Sequence, residues 1–272
     1  MKNSVASLFR SLLPAVDFCF LRYVECAGQH LTVRQNIVEP IGNQFSRGAH
    51  IMVLHQGGSG YAATCDLSKA GLKSALEKAV EWAQITARHA CFAATAPAIP
   101  EAALAFRSAT QRAWDSRTLP EKLDFLKEIS RKLKIHERIV DWSATLQFKQ
   151  SDVLCVSAEA EIHQHFEFVR PYLKAVANNG RETQKRSFGD ASSAQGGLEL
   201  LDRIGFGDQA AKTAEEALAL LDAPDCPFAI ADLLLTPKQM ILQIHESIGH
   251  PLELDRILGD ERNYAGSSFV KL

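Results

Sequence analysis

At 272 residues, 46% of them hydrophobic, the chain is long enough to bury a sizeable core and for about two domains, which excludes a disordered chain. Its 30 Lys and Arg against 32 Asp and Glu leave a formal charge of −2, so no global field draws it to nucleic acid or to an anionic membrane. Six cysteines (Cys19, Cys26, Cys65, Cys91, Cys155 and Cys226) lie scattered without a C-x-x-C pair, the usage of reduced, packed thiols, and no apolar run approaches a bilayer span. The expectation is a soluble, cytoplasmic protein with no nucleic-acid or membrane partner.

The first stretch, MKNSVASLFRSLLPAVDFCFL, is interrupted by Arg10, Pro14 and Asp17 and carries no signal-peptide cleavage site. Two strands are expected next, LRYVEC and LTVRQ, with Ala27-Gly28-Gln29-His30 as the turn between them. A third strand, HIMVLH, leads through Gln56-Gly57-Gly58-Ser59-Gly60 to YAATC. This glycine cluster lacks the Gly-Lys-Ser/Thr ending of a phosphate-binding loop and reads as a hairpin turn. Asp66 or Ser68 caps a helix whose apolar positions Leu72, Leu76, Ala79, Val80 and Ala83 follow helical spacing.

The stretch AATAPAIPE, rich in proline and alanine, reads as a linker. Beyond it, Leu123, Leu126, Ile129 and Leu133 line one face of a helix, with Arg131, Lys132, Lys134 and Arg138 as its solvated side. Val140, Trp142, Ala144, Leu146 and Phe148 then alternate with polar residues as a half-buried strand. A second long strand places Ile162, Phe166 and Phe168 on one face and Glu159, Glu161, His163, His165 and Glu167 on the other. H-x-H on a strand can chelate a metal, but a solvated polar sheet face accounts for the same pattern. The Gly- and Ser-rich residues 187–208 form a long turn or ordered loop, Ala210 to Leu221 a helix, and PFAIADLLL a buried strand. The fold class expected is α+β: mixed α/β units with antiparallel hairpins and covering helices, not a regular β-α-β alternation.

The chemistry concentrates in ILQIHESIGHPLELD, residues 241–255. Thr236 is placed as an N-cap, Pro237 at the first helical position, Gln239 to complete a capping box, and Leu235 and Met240 as a hydrophobic staple, so His245 and Glu246 fall on a helix. Ile241, Ile244 and Ile248 supply its buried stripe. The common H-E-x-x-H pattern puts two histidines on one helical face; here the spacing is five, which on an ideal α-helix turns the second imidazole by roughly 140° from the first. Two routes bring it back: a π-bulge absorbing the extra residue, or termination at Gly249 with Pro251 pushing His250 out of helical geometry. Two core histidines beside a solvated glutamate are the bland alternative, although composition alone would produce on the order of 0.02 such matches.

The stretch LLTPKQMILQIHESIGHPLELDRILGDERNYAGSSF resembles the metal-binding segment of the TldD/PmbA metallopeptidase family, once labelled modulators of DNA gyrase. It is similar to the TldD-type subunit in particular, because the PmbA-type (TldE) partner lacks H-E-x-x-x-H. The resemblance extends upstream, through YVECAGQHLTVRQNIVEPIGNQFSRGAHIMVLHQGGSGYAATCDLSKAGLKSALEKAVEWA. It implies a first domain over 15–92, a linker over 93–109, a second domain over 110–225 and the beginning of a third, metal-binding domain over 226–272. It implies His245 and His250 as Zn²⁺ ligands, Glu246 as the general base that takes a proton from the attacking water, and extended or unfolded peptides as substrates. Glu253 and Asp255 are further carboxylates that either orient a ligand or lie solvated at a helix end. A homodimer, or a heterodimer with a PmbA/TldE-type subunit, is implied as well. In the family a later cysteine completes the metal set; no cysteine follows His250, so the chain reads as lacking most of the C-terminal domain. A non-catalytic interaction fragment of such a peptidase is the rival expectation, and a metal-dependent hydrolase built on His163 and His165 is another.

Overall fold

The computed structural model describes residues 2–90, 93–96, 102–189 and 193–271. Helix α1 (Lys2–Arg10) is followed by β1 (Phe18–Arg34), β2 (Ile37–Val38), β3 (Gly42–His55), β4 (Gly58–Thr64) and α2 (Lys69–Thr86). Then come β5 (Ala102–Arg107), α3 (Leu119–Leu133), β6 (Ile139–Val156), β7 (Ala160–Asn178), β8 (Thr183–Phe188), β9 (Ala194–Gln195), α4 (Glu199–Arg203) and α5 (Gln209–Leu220). The chain ends in α6 (Pro237–Ile244), two irregular helical turns, α7 (Leu254–Leu258) and α8 (Arg262–Ala265).

Among the described residues the strands form one sheet of nine, ordered β4-β3-β1-β6-β7-β5, with β2 added to β1 and both β8 and β9 to β7. All pairs are antiparallel except β5 with β7. This is an α+β arrangement, as the sequence pattern anticipates.

Where two strands and a turn were expected over 21–35, β1 runs unbroken. Both its edges are occupied, by β3 and by β6, so Ala27–His30 exchange ladder hydrogen bonds on either side and no turn forms at Gly28. The reversal comes instead at Gln35 and Asn36, both at positive φ (50° and 64°). The β3–β4 hairpin turns where expected, on Gln56 and Gly57 at φ 52° and 80°. Ser68 caps α2 as foreseen, its hydroxyl accepting from Gly71 N. Of the expected linker, residues 97–101 lie outside the described residues, as does Cys91, and Ala102–Arg107 are strand β5.

Two apolar clusters share the same face of the sheet. One packs α1 and α2 on Leu21, Tyr23, Ile51, Val53, Leu154 and Val156. The other packs α3, α4 and α5 on Leu31, Val33, Ala144, Leu146, Val169 and Leu173. Between them runs a polar row, one residue per strand: Arg47, Glu25, Asp152, His165 and Arg107 are register neighbours across β3, β1, β6, β7 and β5. The polar face of β7 is therefore the face toward the helices, not a solvated exterior. The aromatic face, with Phe106, Phe166 and Phe168 in a ladder of centroids 5.3 and 6.2 Å apart, is the open one.

The segment PFAIADLLL does not form the buried strand its composition suggests. Phe228, Ile230, Leu233 and Leu234 are exposed, and no sheet edge pairs with them. Nor is the isoleucine stripe of α6 buried: Ile241, Ile244 and Ile248 are all more than half exposed. Periodicity reports which side chains share a face, while burial needs a partner surface to pack against.

Candidate metal centre

Helix α6 begins at Thr236 in extended geometry with Pro237 at its first position, as the sequence implies. The expected capping box is absent, for the Thr236 side chain makes no hydrogen bond to the helix start. The helix continues past His245, but the next turn is wider. Over His245–Gly249 it is π-helical, and the His250 N–H donates to the His245 carbonyl, five residues back.

That single change of hydrogen-bond register stacks residue 250 over residue 245. The two imidazoles come to a centroid separation of 4.3 Å, edge to face. His250 itself keeps helical dihedrals (φ −60°, ψ −45°) despite the proline after it, so the π-turn and not displacement by Pro251 closes the gap. The chain leaves helical geometry only after a 3₁₀ turn at His250–Leu252, with Glu253 extended.

Glu246 completes the cluster. Its Oε1 lies 3.8 Å from His245 Nε2 and its Oε2 3.6 Å from His250 Nε2. One ligand atom from each of the three residues falls within 4.8 Å of the other two, the span over which a single cation can be shared. His245 and Glu246 are exposed and His250 is partly covered, so the cluster is open to solvent.

The second nitrogen of His250 is spoken for. Its Nδ1 is 2.8 Å from Glu253 Oε1, and a carboxylate only accepts, so the ring carries its proton there and presents the Nε2 lone pair to the cluster. The hydrogen bond from His250 holds the Glu253 carboxyl below its ordinary value against slight desolvation, with Arg256 helping. Arg256 Nε lies 2.8 Å from Glu253 Oε2, an ion pair out of line for a hydrogen bond. Asp255 does not approach the rings; its carboxylate accepts from the Arg256 backbone N–H. Arg256 was not singled out in the sequence, although its place three residues after Glu253, itself three after His250, was a readable signal.

The donor set fits a borderline cation such as Zn²⁺: two imidazoles, one of them with its tautomer fixed from behind, and an adjacent carboxylate. His163 and His165 do not form a second such site. His163 Nε2 pairs with Glu161 at 2.8 Å, and His165 spends both ring nitrogens on carboxylates, Asp152 and Glu167, each at 3.0 Å. Among the described residues only His245, Glu246 and His250 group in this way.

Residues 19–83 match the family model for PmbA/TldA metallopeptidase domain 1. This stretch is therefore similar to a PmbA/TldA first domain. That domain comprises β1 to β4 and most of α2, and it ends well before His245, so the metal cluster stands on its own geometry. A protein named Metalloprotease from Methanothermobacter thermautotrophicus is 36% identical over 88 residues, which is 32% of this chain and 19% of that relative. The fold around the PmbA/TldA domain matches solved structures over most of the chain. A candidate modulator of a DNA gyrase from Thermotoga maritima gives a TM-score of 0.58 at 15% identity, covering 83% of this chain and 49% of its own. A candidate modulator of DNA gyrase from Bacteroides thetaiotaomicron gives 0.61 at 12% identity, with 80% and 48% covered. TldE from Thermococcus kodakarensis gives 0.55 at 12% identity, with 78% and 47% covered. The chain thus spans about half the length of the structures it matches and about a fifth of that curated relative. No helix among the described residues is long and apolar enough to cross a membrane.

Proposed function

We propose that the protein acts as a zinc metallopeptidase subunit, with His245 and His250 as metal ligands and Glu246 as general base, cleaving extended or unfolded peptides. The observation that carries the reading is the π-turn, which gathers a five-residue His spacing into one donor cluster with Glu246 against both rings. The match of residues 19–83 to a metallopeptidase domain supports it.

Zinc, when bound, supplies Lewis acidity, which acidifies water and polarises a peptide carbonyl. The chain's own residues do the rest. His245 and His250 offer neutral nitrogen lone pairs. Glu246, next in sequence to one ligand and within 4 Å of the other, is placed to accept the proton of an attacking water and to pass it to the departing amine. We assign the protein to an extended peptide substrate and to assembly as a homodimer or with a PmbA/TldE-type chain. Five cysteines stand free among the described residues, in keeping with a cytoplasmic setting.

The deciding experiment compares zinc binding and cleavage of an unstructured peptide for the wild type and Glu246→Gln. The reading requires zinc binding to survive the substitution while cleavage falls by about 10²- to 10⁴-fold; unchanged cleavage would rule Glu246 out as the base. A second reading, a non-catalytic interaction module, draws on the exposed apolar run of Phe228, Ile230, Leu233 and Leu234. It is favoured if zinc binds the wild type and no peptide is cleaved.

A further inference from the structure

His245 and His250 are held very differently. His245 is more than half exposed, and its Nε2 lies 3.8 Å from the carboxylate of the similarly exposed Glu246, with no carboxylate behind its ring among the described residues. His250 is only 28% exposed and its rear nitrogen is fixed by Glu253. We propose that Glu253 is the positioning residue of the cluster: it selects the Nδ1-protonated tautomer of His250 and locks its ring, so that one ligand is preset and the other, His245, closes on the ion. This inference rests on the reading of the two histidines as metal ligands.

The placement of Glu253 follows from the chain's exit from the helix. Pro251 lies in a 3₁₀ turn closed by the Glu253 N–H donating to the His250 carbonyl at 3.1 Å, and Glu253 then turns extended (φ −64°, ψ 128°). This brings its carboxylate back behind the ring just passed. The carboxylate is held in its turn. Its other oxygen pairs with Arg256, whose carbonyl accepts from the Ser268 N–H at 3.3 Å, and the Ser268 hydroxyl donates to the Pro251 carbonyl. Ser268 is 7% exposed, so the turn carrying Glu253 is tied at both ends by a buried residue from the following loop.

A free imidazole exchanges two tautomers and rotates about two bonds, and a ligand so disordered must lose that freedom on binding. A carboxylate behind the ring removes it beforehand and raises the basicity of the coordinating nitrogen. A merely structural carboxylate, pairing with Arg256 to hold the loop, would do neither.

The test uses the full chain and Zn²⁺ as the probe, with Glu253→Ala, Glu253→Gln and His245→Ala beside the wild type. Zinc affinity is read by competition titration, the His250 tautomer by long-range ¹H–¹⁵N correlation on the metal-free chain, and the fold by thermal unfolding. Expected are a wild-type His250 protonated on Nδ1 and a loss of that preference in Glu253→Ala. Zinc affinity should fall about 10- to 100-fold in Glu253→Ala and by less in Glu253→Gln, which keeps an acceptor oxygen, with the unfolding midpoint unchanged. If zinc binds the wild type, is lost in His245→Ala and is unaffected by Glu253→Ala, the positioning role is wrong while the metal site stands. If zinc does not bind, or binding ignores His245→Ala, the metal reading fails. The tautomer in the metal-free chain then decides for Glu253 alone: a shift in Glu253→Ala upholds its hold on His250, and an unchanged ring overturns it.

Discussion

His245 and His250 meet edge to face with their ring planes inclined by 76°, although five residues and not four separate them. An α-helical path would carry the two rings to different sides of the backbone; the wider turn closed by the hydrogen bond from the His250 N–H to the His245 carbonyl rotates less per residue and removes that excess rotation. The π-turn is therefore a requirement of the spacing, and the spacing of the turn. A wider turn packs its backbone less well than an α-turn, and such turns recur where function gains from them.

The dependence on register gives a test by deletion and insertion. Removing Ser247 restores four-residue spacing, and a plain α-helix then puts both imidazoles on one face, so zinc binding should persist within about tenfold. Inserting an alanine after Ser247 makes the spacing six, which no single turn absorbs, and binding should be lost. Titration of both variants checks this, and equal behaviour of the two would mean that the relative placement of the rings is irrelevant.

In the body of the protein, Asp141 anchors the start of β6. Its Oδ1 accepts from Arg34 Nε at 2.7 Å and Gln35 Nε2 at 3.2 Å, and its Oδ2 lies 2.8 Å from Lys174 Nζ. Partial burial pushes its pKa up, but these partners overcome it and hold the carboxyl down at about 2. The folded value lies below the unfolded value of about 3.9, so the stabilisation is complete above pH 4 and is lost as pH falls through about 4 toward 2. Allowing for screening of the half-exposed Arg34, Asp141→Asn should cost about 1–2 kcal/mol at pH 7. Urea unfolding of both proteins across that range should show the difference shrinking toward acid.

Gly60 is where β4 touches α2. A Cβ there would lie 2.2 Å from the Ala79 carbonyl oxygen and 2.4 Å from Ala83 N, both backbone atoms of the helix that cannot rotate away. Gly60→Ala should therefore force the strand off the helix and destabilise the protein by about 2–4 kcal/mol, seen as a lowered midpoint in thermal or urea unfolding.

These relationships differ in how far the sequence disclosed them. The faces of α2 and α3, the hairpin at Gln56-Gly57 and the start of α6 at Thr236-Pro237 were legible because each rests on neighbours in sequence: caps, periodicity and left-handed turn residues. Gly28 misled because a glycine inside a strand pattern marks a turn only if the strand edges are free, and those of β1 are filled by β3 and β6. The charges on β7 misled because a polar face signals solvent only when no partners of opposite charge lie across it; Asp152 pairs with His165 and Arg107 with Glu167. Around the cluster, H-E-x-x-x-H singled out the two histidines and the glutamate beside the first, and the π-turn was one of two geometries open to it. The clasp of Glu253 on His250 depends on the 3₁₀ turn and the extended residue that follow, dihedrals that Pro251 allows but does not dictate.

The most direct measurement is X-ray absorption at the zinc edge on the zinc-loaded chain, run beside His250→Ala. Two imidazole nitrogens at about 2.0–2.1 Å are expected in the wild type and one in the variant. A first shell without imidazole scattering, or one identical in the two proteins, would contradict it.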